Sequence, residues 1–339
     1  MTHIANARLA ACAAAAAAIA LGACGDGGGD GSGPAALGEP TEATLVLDFV
    51  PNAVHAGIYC ALERGYYEDD NVELEVVEPT STSDTLKLID QGKAAFGIAD
   101  GIDVGQQIDR GLGAKAIMAV VQRPLGGVIT LREAGIDSPA ELERGTVGVT
   151  GVPSDDAVLD TVVADDGGDP GDVDRVTIGF NTVPALRAGR VDAITGYPPA
   201  DGTALELRGE AVRSFMLDEW GGPRYPGLIV FSTRERIERD PELMQAFVDA
   251  TVRGYEDTLD DPRGCLEALA AEVPELDEEL AAAQLDAYLS LFAGERRFGV
   301  MRPAAIGALR GFLRATGLTD PRAPPRDYAT NKFVHASRR

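Results

Sequence analysis

Basic residues are scarce in this chain of 339 residues, which has 30 Lys and Arg against 54 Asp and Glu and a net charge of −24. An acidic surface of this size argues against binding to nucleic-acid phosphates and against lying flat on anionic lipid. Only four cysteines are present, and none has the spacing of a zinc site. The sequence also has no G-x-S-x-G, H-E-x-x-H or P-loop motif, so it gives no sign of those enzyme classes.

No apolar run reaches the ~20 residues that a membrane-spanning helix needs. The longest, Leu9 to Leu21, has 13 residues and follows Arg8, as in the hydrophobic region of a signal peptide. The segment LGAC, which ends at Cys24, resembles a lipobox. We therefore predict that residues 1–23 are a signal peptide and that Cys24 becomes a lipid-modified N-terminus. An ordinary secretory signal followed by a chance cysteine is the alternative.

The composition changes after the predicted cleavage site. Residues 24–43 have almost no large apolar side chains, which predicts a flexible tether between lipid and folded domain. From Thr44 to Val121 the sequence predicts strands that alternate with helices, and the same alternation begins again at Gly127. This alternation predicts an α/β fold with mostly parallel sheets and helices on both faces. The segment from Arg234 to Thr316 is expected to be nearly all helical.

A short sequence pattern that occurs twice suggests that two halves of the chain have the same architecture. Residues 91–99, QGKAAFGIA, read as a helix end, a tight turn and a short buried strand, and residues 188–196, AGRVDAITG, repeat that arrangement. We predict a first lobe from residues 44–128 and 226–339, and a second lobe from residues 129–225. Ligands of such sheets bind beyond the carboxyl ends of the strands, so the cleft between the lobes is the expected site.

Two cysteines remain in the folded part, Cys60 and Cys265. An oxidising compartment would permit a disulfide between them, but their positions in the sequence do not show that they are close together. We expect two separate buried thiols, with a disulfide as the alternative.

Polar side chains cluster where the first predicted strand ends. Asp48, Asn52 and His55 place a carboxylate, an amide and an imidazole at the mouth of the cleft. Each also has a structural interpretation, Asn52 as a helix N-cap and His55 as a helix-start residue bonded to local backbone. Taken together, at the edge where an α/β cleft needs polar groups, they predict a binding site.

The same segment resembles a known family. Residues 48–59, DFVPNAVHAGIY, and 61–67, ALERGYY, are similar to the signature of periplasmic binding proteins for thiamine pyrimidine precursors, a family that also includes the pyrimidine synthase of fungi. Further matching segments are QGKA (91–94), FGI (96–98), GVTG (148–151), RAGRVDA (187–193) and TNKF (330–333). The resemblance covers residues 44–334 and implies a two-lobed periplasmic-binding-protein fold of type II.

The resemblance also implies a flat aminopyrimidine ligand, held by stacking and hydrogen bonds. Phe49 stands where the family usually has tryptophan, and His55 keeps the family's histidine. Tyr197 is expected to stack on the ring and Asp201 to accept a hydrogen bond from a ring amine. Tyr225, at the predicted return to the first lobe, completes the matching set.

Two more residues are candidates because of their place at the cleft edge. Asp100 follows the third predicted strand, and Ser154 begins a helix whose backbone N–H groups point toward the cleft. Ser154 as a simple N-cap is the alternative. Asp155 and Asp156 are interpreted as partners of the helix dipole, and they disfavour an anionic ligand.

These observations predict a monomeric solute-binding lipoprotein of an ABC importer, with a small heterocyclic ligand and a membrane permease as its partners. We expect it outside the cytoplasmic membrane, anchored by Cys24, with no catalytic residue, cofactor or metal. Riboflavin is an alternative ligand, because other aromatic residues usual around Tyr197 are missing, and a sulfonate or nitrate is another.

An enzyme is the alternative of another class. The resemblance ties the pyrimidine synthase to a pyridoxal phosphate lysine, a donor histidine and a cysteine-rich iron motif. The iron motif is absent, because Cys60 and Cys265 are isolated. None of the lysines, Lys87, Lys93, Lys115 and Lys332, lies beside a phosphate-binding loop. We therefore predict a binding protein.

Overall fold

The structure is a computed structural model that describes residues 36–81, 83–293 and 297–336. The predicted signal peptide, Cys24 and the tether through residue 35 lie outside these described residues. Within the described ranges, no helix is both long enough and apolar enough to cross a membrane.

The described residues contain two five-stranded sheets. The first has the order β2-β1-β3-β10-β4 and the second β7-β6-β8-β5-β9. The strands are β1 (Thr41–Val46), β2 (Val72–Val77), β3 (Phe96–Asp100), β4 (Ala114–Val121), β5 (Gly127–Leu131), β6 (Thr146–Val149), β7 (Asp174–Thr177), β8 (Ala193–Gly196), β9 (Val212–Met216) and β10 (Leu228–Thr233).

Helices flank both sheets. They are α1 (Ala56–Glu63), α2 (Tyr66–Asp69), α3 (Asp84–Asp90), α4 (Gly101–Asp109), α5 (Pro153–Asp165), α6 (Thr182–Arg187), α7 (Thr203–Leu207), α8 (Arg234–Arg239), α9 (Pro241–Asp260), α10 (Pro262–Glu272), α11 (Glu278–Phe292), α12 (Pro303–Ala315), α13 (Pro325–Tyr328) and α14 (Lys332–Ala336). Several begin with proline, which a helix tolerates in its first turn because the N–H there has no partner in the helix.

The α/β prediction is confirmed, but the sheets are mixed rather than mostly parallel. In the first sheet β1 runs parallel to β2 and β3, whereas β10 is antiparallel to β3 and β4. In the second, β6 is parallel to β7 and β8, and β5 is antiparallel to β8 and β9. The antiparallel strands are the two that follow the connections between the sheets, so each enters its sheet from the opposite end.

The chain passes from the first sheet to the second through residues 122–126 and returns through residues 217–227. The predicted lobe boundary after Val128 therefore falls inside β5. At the other end of the first lobe, the Thr41 N–H donates to the carbonyl of Asn71 and β1 begins at Thr41. Residues 41–43, predicted as tether, are thus part of the first sheet.

The core of the first lobe depends on close contact between α1, α9 and the sheet. Phe96 of β3 stacks on Phe247 of α9, with ring centroids 3.8 Å apart. A Cβ on Gly254 of α9 would lie 2.0 Å from the carbonyl oxygen of Gly57 in α1. The two helices therefore pack backbone to backbone, and a larger residue at position 254 would separate them.

The expectation of two separate thiols is wrong. Cys60 and Cys265 form a disulfide, with Cα atoms 4.7 Å apart across a sequence separation of 205 residues. Because α10 packs against α1, two residues that are distant in the chain meet at one helix contact. Both cysteines are fully buried, so the prediction of burial is correct and that of free thiols is not.

Candidate functional site

A cavity of about 120 Å³ lies between the two sheets, beyond the carboxyl ends of β1, β3, β6 and β8. Seven of the nine predicted ligand-binding residues line it: Asp48, Phe49, Asn52, Asp100, Ser154, Tyr197 and Asp201. The other two, His55 and Tyr225, are fully buried and lie behind its surface. The first lobe supplies one wall and the second lobe the opposite wall, so a ligand in the cavity would contact both.

Asp48 is held in place by His55. The Asn52 N–H donates to Nδ1 of His55 at 3.2 Å, so the ring proton lies on Nε2, which donates to Asp48 Oδ1 at 2.8 Å. The Asn52 side chain accepts from the Val54 N–H at 3.0 Å and caps the 3₁₀ turn that carries His55. The structural and functional interpretations of this cluster are therefore compatible: Asn52 and His55 shape the turn, and Asp48 faces the cavity.

Asp100 and a residue that sequence reasoning missed, Asp103, come from the start of α4. Asp100 caps that helix, since its Oδ1 accepts from the Ile102 N–H at 2.7 Å. Burial raises the pKa of Asp100 well above its usual range, and the neighbouring Asp103 carboxylate acts in the same direction. Burial also raises the pKa of Asp103 to about 7, although the nearby Ser154 hydroxyl lowers it.

Asp155 lines the opposite wall, at the start of α5. Its Oδ2 accepts from both the backbone N–H and the hydroxyl of Thr150, each at 2.6 Å. Burial raises the pKa of Asp155. The prediction that Asp155 acts only as a partner of the helix dipole is therefore incomplete. Asp156, in contrast, points to the exposed side and pairs with Arg175 at 3.7 Å.

Asp201 lies in a one-turn π-helix, Pro198–Gly202, that follows β8. It accepts hydrogen bonds from the Tyr197 N–H and the Thr182 hydroxyl, both at 3.0 Å. Burial raises the pKa of Asp201. A Cβ on Gly196 would lie 2.4 Å from Oδ2 of Asp201, so the carboxylate occupies space that only a glycine at position 196 leaves open.

Aromatic rings complete the walls. Phe49 from the first lobe meets Phe180 from the second edge to face, with centroids 4.4 Å apart, and Tyr197 and Tyr288 also line the cavity. Phe180 and Tyr288 were not predicted, because neither residue belongs to a polar sequence motif. Aromatic side chains from both lobes therefore line the cavity.

The charge of the cavity is strongly one-sided. Five aspartates line it, Asp48, Asp100, Asp103, Asp155 and Asp201, and none of the described residues in its lining is Lys, Arg or His. Across the described part of the chain, no group of three or more His, Cys, Asp or Glu side chains has an arrangement suited to a metal ion. The arrangement can accept several hydrogen bonds from one flat ligand and favours positive charge on it.

Residues 52–265, more than half of the chain, match the family described as NMT1/THI5 like. The chain belongs to this family. The formylaminopyrimidine-binding protein of Halalkalibacterium halodurans is 32% identical over 226 residues, 66% of this chain and 68% of that protein.

More distant relatives differ in what their names describe. A 4-amino-5-hydroxymethyl-2-methylpyrimidine phosphate synthase of Legionella pneumophila is 28% identical over 239 residues, 70% of this chain and 75% of that protein. The riboflavin-binding protein RibY of Chloroflexus aurantiacus is 25% identical over 317 residues, 89% of each chain. The family therefore includes both binding proteins and synthases.

A solved structure has the same fold. The alkanesulfonate-binding protein SsuA from Xanthomonas axonopodis pv. citri, bound to MOPS, matches with a TM-score of 0.70 and 17% identity, over 87% of this chain and 99% of that chain. At this identity the similarity shows the fold alone. It confirms the predicted periplasmic-binding-protein fold of type II.

Proposed function

We propose that this chain is a substrate-binding lipoprotein of an ABC importer, which captures an aminopyrimidine precursor of thiamine outside the cytoplasmic membrane. The charge of the cavity is the observation that carries this proposal. No cation among the described lining residues offsets these five carboxyl groups, so the cavity favours a ligand that brings hydrogen-bond donors or positive charge. An amino group and a protonated ring nitrogen supply both, and Phe49 and Tyr197 provide faces for a flat ring.

The same charge disfavours the anionic alternatives. A sulfonate or nitrate would place negative charge among carboxylates, with no cation in the described lining of the cavity to offset it. Riboflavin is disfavoured by size, because a cavity of about 120 Å³ is well below the ~300–1,000 Å³ that larger ligands occupy. A single-ring heterocycle fits both limits.

The synthase alternative lacks support in the residues of the site. None of the described residues that line the cavity is a lysine, so no amine is in position to hold pyridoxal phosphate. Cys60 and Cys265 are joined to each other and are therefore not thiols of an iron motif. The name of the formylaminopyrimidine-binding relative also favours binding over synthesis.

Closure of the two lobes would couple binding to transport. A ligand that bonds Asp48 and Asp100 on one wall and Asp201 on the other stabilises the closed arrangement over an open one. The permease would then recognise the closed lobes. The predicted lipid on Cys24 would keep the protein beside that permease, since two or more acyl chains hold a protein firmly at a membrane.

A ligand screen tests the function. We would titrate residues 24–339, disulfide intact, with formylaminopyrimidine, hydroxymethylpyrimidine, thiamine, riboflavin, taurine and nitrate, and follow heat release and thermal unfolding. We expect binding of the aminopyrimidines, weakened about ten-fold or more by Asp201→Asn and unchanged by Asp172→Asn, an exposed control. Binding of taurine, nitrate or riboflavin alone would refute the ligand assignment.

The anchor has a separate test. The full chain, expressed with radiolabelled palmitate in bacteria, is expected to carry label and to sediment with membranes. Cys24→Ser should abolish both. If Cys24→Ser protein remains labelled, or if the unaltered protein is secreted without label, the lipoprotein assignment is wrong and an ordinary secretory signal is correct.

A further inference from the structure

Helix α11 contacts both walls of the ligand cavity. On the side of the first lobe it packs against α10 and against the 3₁₀ turn that carries His55, the residue that holds Asp48 in place. On the side of the second lobe it packs against α7 and against the π-helix that carries Asp201. A single helix therefore touches the segments that position carboxyl groups on both walls.

Tyr288 of α11 lies near these two carboxyl groups and lines the ligand cavity. Burial raises the pKa of the Tyr288 hydroxyl well above its usual range, and the Asp48 and Asp201 carboxylates act in the same direction. Such an effect requires both carboxylates to be close to the phenol. Gln284 precedes Tyr288 by four residues and therefore lies on the same face of α11.

Gln284 joins α11 to the second lobe through a hydrogen bond. Its Nε2 donates to the carbonyl of Ala200 in the π-helix at 3.2 Å, and the residue is only 6% exposed. Beside this bond, Tyr197 and Ala200 pack against the hydrophobic core of the first lobe. The segment of the second lobe around Asp201 is thus held to the first lobe by apolar packing and by one largely buried hydrogen bond.

The π-helix fixes the position of the Asp201 carboxylate. The Tyr197 carbonyl accepts from the N–H groups of Ala200 and Asp201, each at 2.8 Å, and the Asp201 carboxylate accepts in return from the Tyr197 N–H at 3.0 Å. A shift of the Ala200 carbonyl would therefore move this carboxylate as well. Gln284 is not among the residues that line the cavity, so it can affect a ligand only through its neighbours.

We propose that Gln284 is a positioning residue for ligand binding: its bond to the Ala200 carbonyl holds the π-helix, and with it Asp201, against α11 when the two lobes are closed. This inference rests on the proposed function, the binding of an aminopyrimidine between the lobes. A ligand enters while the lobes are apart, so its association does not depend on the bond. Its dissociation requires the lobes to separate and the bond to break, so loss of the donor speeds dissociation.

Surface plasmon resonance with formylaminopyrimidine over immobilised protein separates the two rates. Gln284→Met removes the donor at nearly constant volume, and we expect dissociation about three- to ten-fold faster with association unchanged, the range that one net hydrogen bond supplies. Gln284→Glu, which replaces the donor by an acceptor, should have the same or a larger effect. Gln245→Met is the matched control, because Gln245 is also 6% exposed and donates to a carbonyl, that of Phe333 at 2.9 Å, but within the first lobe. It should lower the stability and leave both rates unchanged.

Hydrogen exchange of the protein without ligand gives a second readout. The Ala200 and Asp201 N–H groups are expected to exchange faster in Gln284→Met protein and at the normal rate in Gln245→Met protein. Unchanged exchange or unchanged dissociation in Gln284→Met protein would overturn the proposal, as would equal acceleration by Gln245→Met, since the cause would then be a general loss of stability. If the unaltered protein binds no aminopyrimidine, the proposed function is refuted instead, and the exchange measurement still supports or overturns the role of Gln284.

Discussion

Replacing Asp103 by asparagine is expected to stabilise the ligand-free protein, and to do so more at alkaline than at acidic pH. The carboxyl lies in the acidic cavity, where burial raises its pKa to about 7 and the Asp155 carboxylate adds to the rise. Asparagine keeps the shape of the protonated side chain and removes its charge. The substitution therefore removes only the cost of ionising Asp103 inside the fold.

The size of the ionisation cost follows from the shift in the pKa of Asp103. For a carboxyl that titrates at 3.8 in the unfolded chain and about 7 in the fold, ionisation costs about 4 kcal/mol at pH 8, since one pKa unit is worth about 1.4 kcal/mol. At pH 5 the folded carboxyl is protonated, and the cost is smaller, about 1–2 kcal/mol. Because the folded state binds more protons than the unfolded state in this range, this group makes stability fall as pH rises from about 4 through about 7.

Urea unfolding of Asp103→Asn protein at pH 5 and pH 8 measures the difference. We expect the stabilisation to be larger at pH 8 by about 2–3 kcal/mol, an upper value because the cavity admits water. Asp90→Asn, at an exposed position of α3 in the same lobe, should show no such pH dependence. Equal effects of Asp103→Asn at both pH values, or destabilisation at pH 8, would refute a raised pKa for Asp103. Either result would also refute the interpretation that ionised carboxylates in the cavity destabilise the fold.

Three further outcomes are expected. Reduction of the disulfide between α1 and α10 should lower the stability by about 3–5 kcal/mol, measured by urea unfolding with and without dithiothreitol, since it removes a constraint on a long loop; an unchanged midpoint would contradict this. His55→Ala should cost about 1–3 kcal/mol of stability, because it strips a buried carboxylate of its donor, and should also weaken aminopyrimidine binding; a loss of binding with full stability would show that His55 contacts the ligand itself. Gly196→Ala would force the carboxylate of Asp201 to move, so we expect weaker ligand binding by calorimetry with a folded protein by circular dichroism, whereas Gly307→Ala, which has open space, should bind normally.

Sequence patterns predicted the fold well where each element is encoded locally. The alternation of strands and helices correctly indicates two α/β lobes, as does the sequence pattern that is repeated around Gly92 and Gly189. Both glycines adopt the left-handed conformation that the tight turn needs. The direction of β5 and β10 could not be predicted in the same way. A strand carries the same pattern whichever way it runs, and its direction depends on the connection that precedes it.

The candidate site was predicted in part for a similar reason. Asp100 is the last residue of β3 and Asp48 follows β1 by two residues. Polar residues are informative near strand ends, and both line the cavity. Asp103 and Asp155 lie in first turns of helices, where an aspartate is common for local reasons, so only the three-dimensional arrangement distinguishes them. The disulfide could not be predicted because it depends on the packing of α1 against α10, 205 residues apart in the chain.

The order of strands in the first sheet has a consequence for the order in which the two lobes fold. β10 lies between β3 and β4, so the centre of that sheet is missing until residues 228–233 have been synthesised. The second sheet, in contrast, is complete within one continuous stretch, residues 127–216. Because long-range pairing is slow to form, the second lobe is expected to fold before the first sheet is complete. Cys60 is synthesised early and Cys265 late, so the bond between them can close only after most of the chain is present.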